Sequence, residues 1–443
     1  MDEVPLPRPS LVRETLTFAI PTLATLIAEP VFLAADSVIV GHLGVAQLGA
    51  LAATSAILTL VTSSFIVLAY GTTSRVARLL GAGDHHAAYE VGVSAFWAAI
   101  LLGIGLWALI AALQSQTLEF LSTPAQVLPF ALTYLKISVV GIPFILMNLA
   151  GIGILRGSGN PRGPLLIQVA GYVLNIVLNV WLVWGLGFGI AGSALGTVIT
   201  QILVAISYGA MVMKLARRYR VSVKPRIGGI KEAFSTGTPL IVRTVSFRAA
   251  ILLGTWVAES LGTVPLAAFG ASMTVWNVLA FILDSVAISA QVSFAKSMGA
   301  GRVLEAREAA LKFMRLALVF GALTGAIEAA FAWLIPGAFV GDAATRQLIT
   351  RLLLVEALLQ PLAALAFMLD GILIGVGDFG YLGAAAVFSL AAFIPGALEV
   401  RFVYRNAETL WVAFGIFMIA RVATLAHRVV RGDWIPPRLD ADA

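Results

Sequence analysis

The sequence predicts an all-α membrane protein of about twelve transmembrane helices, built as two parallel six-helix lobes with pseudo-two-fold symmetry. Three observations carry this expectation. Of 443 residues, 60% are hydrophobic and only 12% charged, with a mean hydropathy of +0.96, whereas soluble domains carry about 25% charged residues. The apolar residues fall in runs long enough to cross a bilayer core, which takes about 20 residues of helix. Motifs of the first half return in the second at one fixed offset. Together these exclude a soluble enzyme, a disordered chain and a disulfide-bonded scaffold, and there is no cysteine to form a disulfide.

The first run, 14–39, contains Glu29 and Asp36 and follows an acidic, proline-containing start, a poor signal peptide. The runs 46–70, 89–113, 126–150, 163–184 and 190–213 complete the first half. The second half holds 235–258, 264–290, 307–334, 347–372, 380–403 and 408–427. All are continuous and rich in Leu, Ala and Val, which suits helices and not the short alternating strands of a membrane barrel.

The connections set the orientation. Basic residues follow run 2 (Arg75, Arg78), run 4 (Arg156, Arg162), run 6 (Lys214, Arg217, Arg218, Arg220, Lys224, Arg226, Lys231) and run 8 (Lys296, Arg302). The opposite connections are nearly bare of Lys and Arg until Arg346, Arg401 and Arg405. The positive-inside bias therefore predicts both termini in the cytoplasm of a multi-pass membrane protein. Topology accounts for the net charge of +6, so no nucleic acid partner is expected. The four histidines lack metal-ligand spacing, and no G-x-x-x-x-G-K-[ST] run is present. Neither a metal, a cofactor nor direct use of ATP is expected, and the chain is not expected to be an enzyme.

The repeat divides the chain. Leu43-Gly44…Leu48…Ala50 returns as Leu261-Gly262…Leu266…Ala268, and Gly81-Ala82-Gly83 as Gly299-Ala300-Gly301. Ile154-Leu155-x-Gly157-x-Gly159 returns as Ile372-Leu373-x-Gly375-x-Gly377, each time 218 positions later. The expected units are an N-terminal lobe (1–213), a basic cytoplasmic linker (214–234) and a C-terminal lobe with a short tail (235–443). Six helices per half insert both halves the same way round, with a cleft between them that suits alternating access.

These residues carry a resemblance. The ordered set Pro21, Ala35-Asp36-Ser37, Gly81-Ala82-Gly83-Asp84, Leu155-Arg156-Gly157-Ser158-Gly159-Asn160-Pro161, Asn175…Asn179, Gly192-Ser193-Ala194, Asp284 with Ala290-Gln291, and Leu369-Asp370-Gly371-Ile372 resembles the multidrug and toxic compound extrusion (MATE) family, in its DinF-like bacterial branch. The resemblance spans nearly the whole chain. It implies a secondary antiporter expelling cationic or amphipathic small molecules against inward H⁺ or Na⁺.

A carboxylate within the hydrocarbon is costly unless paired or hydrated, so Asp36 is the leading candidate for ion coupling. Burial penalises its charged form, which suits a group that loads and releases a proton. Glu29 lies two turns earlier on the same helical face. Asn175 and Asn179, four apart, point one way, and Tyr134 and Thr197 add hydroxyls. The resemblance implies that these positions build a polar pocket around the helix 1 acid. It also implies a second acid on helix 5 in many H⁺-coupled members; here Asn179 stands there, leaving Asp36 as the main titratable group. Pro21 removes a backbone hydrogen bond and permits a bend, which the resemblance links to protonation. Interhelical hydrogen bonding is the alternative role for the Asn pair.

In the second half, Arg243, Arg248, Asp284 and Asp370 are expected to form a structural Arg–Asp network, with a second cation or substrate site as the alternative. Glu328, Glu356 and Glu399 are placed near helix ends or at interlobe contacts, with no role. Arg156, Asn160 and Arg162 read as topology and turn residues, and Trp276 and Phe281 as candidate cavity aromatics. The expected function is H⁺-driven efflux. Na⁺ coupling, for which Asp36, Asn175, Asn179 and Thr197 offer hard oxygen ligands, and a lipid-linked oligosaccharide flippase remain as alternatives. Membrane lipid and small organic cations are the expected partners of a monomer.

Overall fold

The structure, a computed structural model, describes residues 11–120 and 123–435. Among these, twelve helices are long and apolar enough to cross a membrane. In the first half they are α1 (Val12–Gly41), α2 (Val45–Gly81), α3 (His85–Ala112), α4 (Leu128–Gly157), α5 (Arg162–Gly185) and α6 (Gly189–Arg218). In the second they are α7 (Ile227–Leu261), α8 (Thr263–Gly299), α9 (Val303–Phe331), α10 (Ala343–Val376), α11 (Phe379–Tyr404) and α12 (Ala407–Arg431). No strand occurs among the described residues. Helix is the form in which a lone segment satisfies its own backbone in lipid. The helices overrun the apolar runs: α6 extends to Arg218 and α7 starts at Ile227, so both flanks of the expected linker are helical.

Small residues decide the packing inside each lobe, because lipid supplies no hydrophobic drive between helices and contact must come from close approach. In α4, Gly153 and Gly157 lie against the carbonyl oxygens of Ala69 and Thr73 in α2; a Cβ on either glycine would sit 2.7 Å from that oxygen. In α10, Gly371 and Gly375 meet the carbonyls of Ala287 and Gln291 in α8, where a Cβ would come to 2.4 and 2.6 Å. All four pairs of equivalent residues are 218 positions apart. The repeat is thus a repeat of backbone contacts. Both lobes also end their fifth helix in a π turn, Trp181–Gly185 and Val400–Tyr404.

The lobes meet where α8 packs against α1 and α2. Gly81 and Gly299 allow α2 and α8 to touch: a Cβ on Gly81 would lie 2.2 Å from the Lys296 carbonyl oxygen, and one on Gly299 1.8 Å from that of Arg78. This contact closes the end of the molecule that carries the basic connections.

The C-terminal lobe has an aromatic core of Trp276, Phe393, Trp411, Phe414 and Phe417, and the Trp411 indole donates to Ser272 Oγ at 3.0 Å. Trp276 is buried in that core, covered by Trp411 and Phe414 of α12. Two basic residues on the sparse side, Arg401 and Arg346, are held locally. The Arg401 guanidinium lies 3.5 Å from the Trp256 ring centre, a cation–π contact, and Arg346 Nε donates to the Val340 carbonyl at 2.6 Å. Asp342 caps α10, accepting from the backbone and hydroxyl of Thr345 at 2.8 and 2.7 Å; those hydrogen bonds hold its carboxyl below the ordinary aspartate value.

Candidate transport site

A cavity of about 200 Å³ lies inside the N-terminal lobe, walled by α1, α2, α4, α5 and α6. Two of the helices that wall it, α2 and α4, are broken where their counterparts are not. α2 is interrupted at Ile66, and α4 tightens to a 3₁₀ turn over Val139–Gly141, whereas α8 and α10 run uninterrupted. α1 remains one helix through Pro21 and Pro30. The Thr25 hydroxyl donates to the Pro21 carbonyl at 2.8 Å, one turn after the backbone bond that proline lacks.

Asp36 is buried at 3% exposure. Its Oδ1 accepts from Asn179 Nδ2 at 2.7 Å and from Ser193 Oγ at 2.8 Å. Its Oδ2 makes no hydrogen bond among the described residues, and the residue lines the cavity. Asn175 Nδ2 donates to Thr197 Oγ1 at 3.2 Å, and the buried Tyr134 lies beside Ser138, Ser193 and Thr197. The side-chain oxygens of Asn175 and Asn179 are buried without a donor. Asp36, Asn175, Asn179, Tyr134 and Thr197 therefore sit together, the arrangement that the resemblance implies. Ser193, read only as part of a motif, is the residue that reasoning missed. Its position one helical turn before Thr197, and so on the same face of α6, was the available signal.

Glu29 lines the same cavity with a side chain open to it. Next to it the Phe32 and Tyr172 rings stack with centres 5.0 Å apart, forming one aromatic wall. Arg156 also lines this cavity and is only 5% exposed. It is not the loop residue its position after an apolar run suggested: α4 continues to Gly157 and turns the guanidinium inward.

The expected Arg–Asp network is drawn differently. Asp370 Oδ2 accepts from Arg243 of α7 at 2.6 Å and from Arg421 of α12. Arg248 is exposed on α7 and makes no ion pair among the described residues. Asp284 accepts instead from the Tyr70 hydroxyl of the opposite lobe at 2.7 Å. In sequence Arg421 stands just before the basic end of α12, with no signal of its inward role. Glu328 and Glu356, expected near helix ends, are buried together between α9 and α10, with Gln360 Nε2 donating to Glu328 Oε2 at 3.0 Å. Gly321 and Gly325 bring those helices together, a G-x-x-x-G signal present in the sequence.

The MatE family model matches this chain twice, over residues 21–181 and 239–397. The chain belongs to the MatE family. As a member, it is a multi-pass membrane transporter of the multidrug and toxic compound class, and the two matches begin 218 positions apart, in register with the repeat. Among its relatives, Protein DETOXIFICATION 44, chloroplastic, of Arabidopsis thaliana is 30% identical over 437 residues, covering 94% of this chain and 82% of that protein. DNA damage-inducible protein F of Escherichia coli is 26% identical over 426 residues, covering 92% and 90%. Solved structures share the fold: the Vibrio cholerae MATE transporter VcmN in its bent form (TM-score 0.86, 19% identity, 96% of this chain and 99% of that one) and a Pyrococcus furiosus MOP superfamily transporter described as having a binding pocket of reverse polarity (TM-score 0.83, 20% identity, 97% and 96%).

Proposed function

We propose that this MatE-family protein is a secondary antiporter of the bacterial inner membrane, acting as a monomer. It exports cationic or amphipathic small molecules in exchange for H⁺ by alternating access, with its basic end in the cytoplasm. The observation that carries this reading is Asp36: a buried carboxylate in the wall of the cavity, held through one oxygen by Asn179 and Ser193. A charged Asp36 attracts an organic cation, and protonation removes that attraction, so ion and substrate exclude each other at one side chain. Moving one elementary charge inward supplies about 2.3 kcal/mol per 100 mV. At about 1.4 kcal/mol per tenfold ratio, that sustains roughly a fifty-fold gradient of a neutral substrate.

A second reading, Na⁺ coupling, draws on the donor-free oxygens of Asn175 and Asn179 beside Asp36, hard ligands of the kind alkali cations take. The deciding experiment follows efflux of a fluorescent organic cation from proteoliposomes under an imposed pH gradient or an imposed Na⁺ gradient, for wild type and Asp36→Asn. Efflux driven by the pH gradient and lost in the variant is expected. Efflux driven only by Na⁺ assigns the coupling to that ion, and no efflux under either removes the antiport reading.

A further inference from the structure

The cavity is polarised along its length. Asp36 and Glu29, seven residues apart on α1, stand about 10 Å from each other along the helix axis, and both line it. Arg156 lies at the opposite end, in the last turn of α4 next to the basic connections. Asn148, two turns earlier on the same face of α4, lines the cavity with its side-chain oxygen buried and without a donor.

Arg156 is buried, and its guanidinium makes no hydrogen bond or ion pair among the described residues. The nearest carboxylate influence is that of Asp284, which is engaged with the Tyr70 hydroxyl. Tyr208, close enough to Arg156 to feel its charge, has a buried hydroxyl with no partner. A guanidinium in a bilayer interior is normally matched by an anion, and it presents a planar fork suited to carboxylate or phosphate. Here that fork faces a cavity whose other end is acidic and whose wall is the Phe32–Tyr172 stack.

We propose that the N-terminal cavity binds an amphoteric aromatic substrate, its acidic group on Arg156 and its cationic group toward Glu29 and Asp36. This rests on the reading of the cavity as the transport site and narrows its substrate class.

Rhodamine B, which carries a free carboxylate and a cationic xanthene, and its ethyl ester, a cation alone, test this by fluorescence polarisation with the full chain in detergent. Arg156→Gln is expected to weaken rhodamine B at least tenfold, while the ester, a cation that the guanidinium repels, binds as well or better; Arg156→Lys falls in between. Glu29→Gln weakens both dyes. Retained binding of the ester also reports that Arg156→Gln is folded. Equal loss of both dyes, or loss of neither, overturns the anion site while leaving the antiport reading standing. Failure of the wild type to bind either dye overturns both.

Discussion

Arg78 and Lys296 occupy equivalent positions in the two halves and reach in opposite directions across the lobe boundary. Arg78 of α2 donates to the Gly375 carbonyl of α10 at 3.2 Å and lies over the Gly377 turn, where a Cβ would meet its guanidinium at 2.5 Å. Lys296 of α8 lies over the Gly159 turn, where a Cβ would meet Nζ at 2.7 Å. Gly159 and Gly377 both have φ near +80°, a conformation that favours glycine on top of the space it leaves. With the Gly81–Gly299 contact, these residues form a reciprocal closure of the basic end.

Preventing that closure opens the basic end. Ser74, 1% exposed, accepts from Gln291 of α8 at 2.9 Å just inside the contact. Because the chain has no cysteine, a single Ser74→Cys reports its accessibility. It is expected to resist an impermeant maleimide in the wild-type background and to label from the basic face when combined with Gly299→Leu. Equal labelling in both backgrounds contradicts the closure.

Removing either donor to Asp36 weakens coupling. Hydrogen bonds to charged groups contribute about 1.5–3 kcal/mol, so Asn179→Leu or Ser193→Ala is expected to lower gradient-driven efflux about tenfold or more, measured as initial rates in proteoliposomes. Unaltered rates in both variants show that those contacts do not position the carboxylate.

Asp370 holds three helices of the C-terminal lobe together through Arg243 and Arg421. Asp370→Asn leaves two buried guanidinium groups uncompensated, a loss of about 3–5 kcal/mol. Thermal unfolding in detergent is expected to show it, and replacing Asp370, Arg243 and Arg421 together by Leu and Met recovers most of the loss. A single variant as stable as wild type contradicts a structural role.

The Glu328–Glu356 pair has no basic partner among the described residues. Glu356→Gln, which supplies a permanent donor to the contact, is expected to leave the melting temperature unchanged or raise it, whereas Glu356→Lys lowers it by several degrees. A marked drop with Gln shows that the charge itself is required there.

The twelve spans were legible because hydropathy is a local property, and the lobes because glycine motifs mark backbone contacts that repeat. The Asp36 cluster was legible in part: Asn175 and Asn179 share a face by spacing alone, while their meeting with α1 depends on packing. Arg156 and Arg421 were not. Arg156 stands in the last turn of α4 and Arg421 ahead of the basic end of α12, where charge at the membrane surface and charge turned into the protein look alike in sequence. The Glu328–Glu356 contact joins different helices, and only the glycine pair on α9 hinted at it.

The central claim is that proton and substrate compete for Asp36. Its most direct measurement is proton release when a fluorescent organic cation binds the purified protein in weakly buffered detergent solution at mildly acidic pH. The account predicts that wild type releases protons on binding and that Asp36→Asn, still folded, releases none. Equal release from both proteins would place the exchanging proton on another group and contradict the account.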